Sequence, residues 1–209
     1  MNALQLLSLG SYKLKKKNIP SYRLDSELLL SKTLKKKREK LLINLDQKIS
    51  LINVSKFNCF IKRRSNKEPL AYILKEKEFW SKCFEIEKNT LIPRPETELM
   101  VEKLVKIFKN KSFNVVDIGT GSGCILISLL SEFKNSKGLG IDISKHSILI
   151  AKKNAKKNKV INKIKFKRMP LKMLYHQKFD LVTSNPPYIK TKDLKNLQDD
   201  IKYFEPSCK

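Results

Sequence analysis

The stretch FNVVDIGTGSGCILISLL, residues 113 to 130, decides the fold of this chain. Phe113 to Val116 is β-prone, Asp117-Ile118-Gly119-Thr120-Gly121-Ser122-Gly123 is turn chemistry, and Cys124 to Leu130 is a nearly continuous apolar run. That order predicts strand, tight turn, helix. Glycines allow positive φ and close approach of a ligand to the backbone, and a helix that begins here presents unpaired N–H groups. The spacing is G-x-G-x-G. A dinucleotide fingerprint needs its third glycine one position later, at Cys124, so a pyrophosphate cradle is disfavoured. Asp142 lies at the end of the next apolar segment, Gly138 to Ile143, where a carboxylate can take both hydroxyls of a ribose. The residues favour a nucleoside ligand over a dinucleotide.

Working outward, helical and strand patterns alternate. Pro95 suits a first helical turn, with the helix running to about Phe108. Then come strand 113–118, helix 122–133, strand 138–143, helix 145–158, strand 163–167 and strand 179–183. The alternation predicts an α/β fold with a doubly wound, mostly parallel sheet. Residues 1–66 read differently: Leu24, Leu28 and Leu29 follow the candidate cap Ser21, and Leu51, Val54 and Phe57 follow Ser50. A small N-terminal helical bundle is expected there. Between the two, residues 67–94 hold short β-prone runs at Tyr72 to Leu74 and Phe84 to Ile86, a hairpin linker by this reading. Residues 95–209 form the third part.

Lys178-Phe179-Asp180-Leu181-Val182-Thr183 delivers Asn185-Pro186-Pro187-Tyr188 to the carboxyl end of a strand. In open α/β sheets ligands bind outside those ends, so this segment and the glycine loop converge on one crevice. The Asn185 side-chain oxygen and the Pro186 carbonyl can each accept one N–H of a planar –NH2 group, and two prolines hold the acceptors still. Tyr188 can cover the group by stacking.

On these residues the chain resembles the class I S-adenosylmethionine-dependent methyltransferases, and within them the release factor glutamine methyltransferases, or HemK-like proteins. The resemblance rests on Val115 to Gly123 and Ser184 to Ile189. It also rests on Glu68-Pro69-Leu70-Ala71-Tyr72 with Glu78-Phe79-Trp80, on Leu91-Ile92-Pro93-Arg94-Pro95-Glu96-Thr97-Glu98, and on Glu205-Pro206 after Phe204. It implies methylation of the glutamine side-chain amide in the Gly-Gly-Gln motif of peptide chain release factors. By that resemblance Asn185 and Pro186 are the catalytic acceptors, and Pro187 and Tyr188 complete the substrate slot. The cofactor S-adenosylmethionine is wrapped by Gly119, Thr120, Gly121, Ser122 and Gly123, with Asp142 on its ribose, Asp117 under its amino group, and Asn185 at its edge.

Other readings stay open at single positions. Asp117 can organise the loop through Asx-type bonds, and Asp142 can cap the helix that starts near Ser144. Arg94 and Glu96 either position the entry segment or pair with each other. Trp80 is expected to anchor packing between the domains rather than to stack on substrate. Two departures from the family stand out. Arg168-Met169-Pro170 occupies the place where members carry an acid for adenine. The chain also ends at Lys209, before the further strands and helices of the family fold, so a truncated sheet edge is expected.

The formal net charge is +25, nearly all from lysine. A lysine, asparagine and isoleucine excess is what an AT-rich coding sequence produces, although the charge also favours weak, non-specific association with RNA or ribosomes. Alternatives to the glutamine reading are an amino-group methyltransferase acting on DNA or RNA bases and an inactive, RNA-binding remnant. The four cysteines, Cys59, Cys83, Cys124 and Cys208, form no C-x-x-C pair, and with His146 and His176 they suggest no metal site. No signal peptide or membrane span is read, so a cytoplasmic monomer is expected.

Overall fold

The computed structural model describes residues 1–88, 90–175, 177–186 and 204. Pro187, Tyr188, Ile189, Glu205, Pro206, His176 and Cys208 lie outside them. The chain divides into two compact units, one spanning Met1–Leu74 and the other beginning at Lys75.

The first unit is helical: α1 (Ala3–Lys16), α2 (Tyr22–Leu34), α3 (Arg38–Ile43), α4 (Leu51–Ser65) and α5 (Leu70–Leu74). Asn2 and Gln5 close a reciprocal capping box at the start of α1, which satisfies two donors that a helix start otherwise leaves open. Helices pack closely around Gly10, where a Cβ would fall 2.6 Å from Ser26 Oγ and 2.7 Å from the Phe57 ring. Leu6, Leu29, Leu30, Phe57 and Ile61 form the core, and each such side chain stabilises by about 1.5–3 kcal/mol on burial. Leu24 and Leu51, expected on the apolar stripes, are exposed. Both sit in the first turns of their helices, at the margin of the bundle.

The β-prone run Tyr72 to Leu74 is helical instead. Tyr72 and Ile73 donate their N–H groups to the Pro69 carbonyl. Helical spacing turns Leu70, Ile73 and Leu74 onto the core of the first unit, and that burial overrides a weak strand preference.

The second unit opens with a hairpin, β1 (Glu76–Phe79) and β2 (Lys82–Glu85), whose turn residues Trp80 and Ser81 both have φ of 52°. Positive φ at both central positions matches the right-handed twist of the strands. Next come α6 (Pro95–Ile107), β3 (Asn114–Ile118), α7 (Cys124–Glu132), β4 (Lys137–Asp142), α8 (Lys145–Lys157), β5 (Ile164–Arg168) and β6 (Leu181–Ser184). Among the described residues the sheet order is β5-β4-β3-β6, every pair parallel. The chain builds outward from β3 through β4 to β5, then returns to the other side of β3. That reversal leaves a crevice at the carboxyl ends of β3 and β6, the usual ligand position in such sheets.

Candidate active site

The register pairs Ile118 of β3 with Ser184 of β6. Gly119 and Asn185 therefore leave the ends of neighbouring strands, which lie about 4.8 Å apart in any sheet. Ser184 Oγ donates to the Ile118 carbonyl at 3.0 Å, tying the two exits together.

The loop turns on glycines with φ of +69° at Gly119, +55° at Gly121 and +79° at Gly123. Thr120 N–H donates to the Ile141 carbonyl at 2.9 Å, and Gly123 N–H to the Thr120 carbonyl at 2.7 Å. A Cβ on Gly119 would meet nothing within 4 Å, so the loop keeps an open side. Inside it, Asp117 is 1% exposed. Its Oδ2 accepts from Thr120 Oγ1 at 2.6 Å and its Oδ1 from Thr183 Oγ1 at 2.8 Å. Burial pushes the Asp117 carboxyl up to about 6, and the two hydroxyl bonds offset only part of that rise while Asp142 adds to it.

Asp142, at the end of β4, accepts Gly121 N–H on Oδ2 at 3.0 Å and Ser144 N–H on Oδ1 at 2.8 Å. It is not the cap of α8. Ser144 is, its Oγ accepting from Ser147 N–H at 3.2 Å. A carboxylate offers about four acceptor sites, so Asp142 retains capacity for ligand hydroxyls. Arg168 donates through Nε to the Ile143 carbonyl at 2.9 Å, and Met169 N–H donates to the Asp142 carbonyl at 3.1 Å, which binds this segment to the β4 exit.

Asn185 is half-buried and Pro186 exposed. The Asn185 Nδ2 donates to Thr97 Oγ1 in the first turn of α6, at 3.3 Å. The next residue, Glu98, accepts Trp80 N–H at 3.0 Å, while the Trp80 indole N–H donates to Glu132 at 2.8 Å. These bonds of Trp80 fall within the second unit. The segment Glu96-Thr97-Glu98 was visible in the sequence, but the partners of Thr97 and Glu98 were not.

A further residue escaped the sequence. Asn154 of α8 is 0% exposed. Its Nδ2 donates to the carbonyls of Ser122 at 2.9 Å and Glu85 at 3.0 Å, and its Oδ1 accepts Glu85 N–H at 2.7 Å. One side chain thus joins the glycine loop to the hairpin. The signal available was an amide interrupting the buried stripe Ile148, Ala151, Ala155.

A cavity of about 560 Å³ opens elsewhere, lined by Asn114, Lys137, Lys165, Lys167, Lys178 and Phe179 among others, and includes no residue of the loop. Size is a poorer guide here than the convergence of polar groups at the switch point. Among the described residues no helix is long and apolar enough to cross a membrane. No group of three or more His, Cys, Asp or Glu able to hold a metal occurs among them either.

Residues 5–74 match the PrmC N-terminal domain and residues 109–204 match a methyltransferase domain. The release factor glutamine methyltransferase of Buchnera aphidicola subsp. Baizongia pistaciae is 42% identical over 201 residues, covering 96% of this chain and 72% of that protein. The chain belongs to the release factor glutamine methyltransferase family. The family member of Leptospira interrogans is 39% identical over 215 residues, covering 97% of this chain and 73% of that protein. A third, from Buchnera aphidicola subsp. Schizaphis graminum, is 39% identical over 184 residues, covering 88% of this chain and 66% of that protein. The chain is thus a methyltransferase of this family, and it spans between 66% and 73% of the length of these three relatives.

Proposed function

We propose that this chain transfers a methyl group from S-adenosylmethionine to the side-chain amide nitrogen of the glutamine in a Gly-Gly-Gln motif of a peptide chain release factor. The observation that carries the reading is the pairing of Ile118 with Ser184, which sends the glycine loop and Asn185 into one crevice. The names of the relatives support the substrate.

The residues present fit the cofactor. The open side of Gly119 admits a close ligand, Asp142 has acceptor capacity for two hydroxyls, and Asp117 offers a carboxylate to an amino group. When bound, S-adenosylmethionine supplies a methyl group already activated for transfer. The chain contributes orientation. An amide nitrogen is a weak nucleophile because its lone pair is delocalised. With one N–H held by Asn185 Oδ1 and the other by the Pro186 carbonyl, the nitrogen is fixed with its π face toward the loop. The Asn185 and Pro186 acceptors would keep the nitrogen in line while the N–C bond formed and the methyl–sulfur bond broke with its electron pair left on sulfur, and the surplus proton would pass to solvent after transfer. No strong base is required beforehand, since positioning and exclusion of water carry the barrier.

A radiolabelled-methyl assay offering release factor, its Gln-to-Ala variant and total RNA tests the reading. Label in intact release factor alone is expected. Label in RNA, or equal label in the Gln-to-Ala variant, overturns it.

A further inference from the structure

We propose that Thr97 is a positioning residue that fixes the working flip of the Asn185 amide. This rests on the acceptor role proposed above for Asn185. A side-chain amide has two nearly isosteric ends, one an acceptor and one a double donor. In one flip Oδ1 meets a substrate –NH2 group. In the other, two donors face each other and the slot rejects the nitrogen it should hold.

Thr97 decides between them. Its Oγ1 accepts from Asn185 Nδ2 at 3.3 Å. The Thr97 hydroxyl, in the first turn of α6, serves as the acceptor of this bond. A neighbour of that kind favours Nδ2 on the helix side and so commits Oδ1 to the opposite direction. The platform is itself held. Thr97 N–H donates to the Arg94 carbonyl at 3.0 Å, and Glu98 grips the hairpin turn through Trp80 N–H. The helix turn cannot drift without disturbing two other bonds.

The test compares Thr97→Val, which keeps the shape and removes the hydroxyl, with Thr97→Ser, which keeps the hydroxyl. Each is assayed on release factor and titrated with S-adenosylhomocysteine. For Thr97→Val, kcat is expected to fall about thirtyfold, as loss of orientation near a reacting atom does. Its affinity for S-adenosylhomocysteine should stay within about twofold of the parent, because the loop is untouched. Thr97→Ser should keep kcat within about threefold of the parent.

A second readout does not depend on turnover. The side-chain amide signals of Asn185 in a 15N-labelled sample, assigned by their loss in Asn185→Ala, should shift and exchange faster with solvent in Thr97→Val and remain close to the parent in Thr97→Ser. If the parent fails to label release factor while these signals behave as described, the substrate reading fails and the role of Thr97 stands. Parent-like kcat or unchanged amide signals in Thr97→Val overturn the role. So does a Thr97→Ser variant as impaired as Thr97→Val.

Discussion

The two halves of the crevice are built on opposite principles. The loop after β3 is bonded from every side: Asp117 binds Thr120 and Thr183, Asp142 takes Gly121 N–H, and Asn154 takes the Ser122 carbonyl. Among the described residues, the Asn185 side chain in the slot after β6 makes a single hydrogen bond, to Thr97. An over-determined loop loses shape gradually when one bond is cut, because the rest still specify it. A side chain with one tether loses its orientation abruptly. The comparison predicts that affinity and turnover respond to separate sets of residues.

Asn185→Asp strikes the slot hardest. The change removes the donor that binds Thr97 and adds an anion, and kcat is expected to fall about 10²–10³-fold, the scale of losing one oriented polar group at a reacting centre. Affinity for S-adenosylhomocysteine, measured by calorimetry, should change by less than about fivefold. A loss of affinity matching the loss of kcat would erase the contrast between loop and slot.

Asn154→Ala attacks the loop from behind. It leaves the Ser122 carbonyl and both backbone groups of Glu85 without their partner, and unmade buried bonds cost roughly 1–3 kcal/mol each where water cannot substitute. A loss of about 3 kcal/mol in urea unfolding is expected, with weaker binding of S-adenosylhomocysteine. A variant as stable as the parent would show that the loop needs no support from α8.

The smallest effect sharpens the comparison through pH. Burial holds the Asp117 pKa at about 6, above its ordinary 3.8. The folded state therefore binds the proton more tightly than the unfolded chain. The stability this brings is fully present below about pH 4 and is lost as pH rises to about 6. A ligand amino group reverses the preference, since it needs the carboxylate charged. Affinity for S-adenosylhomocysteine should accordingly fall about tenfold between pH 7 and pH 5, and Asp117→Asn should flatten that dependence. A flat profile in the parent would remove Asp117 from the binding site.

The shape of the loop was legible in the sequence because it resides in backbone dihedrals, and glycine at every second position is a local signature of them. The strands and helices around it followed from alternation, with boundaries within two residues of the expected ones at β3, β4, α8 and β5. The exit of Asn185 at the end of β6 was legible from the strand pattern before it, while its acceptor role belongs to the proposed function. Thr97 and Asn154 were not. Their partners lie 88 residues away for Thr97 and as much as 69 away for Asn154, and a polar residue in a helix carries no local mark of a distant bond. Tyr72 to Leu74 misled because three residues cannot distinguish period 2 from period 3.6, and only the core beneath them decides.

Asn154 has one more consequence. The same amide fastens the edge of β2 and the floor of the glycine loop, so the hairpin braces that loop and is not detachable trim. Anyone transplanting the methyltransferase domain onto another helical unit should cut ahead of Lys75. A graft beginning at Pro95 would arrive with its glycine loop already loosened.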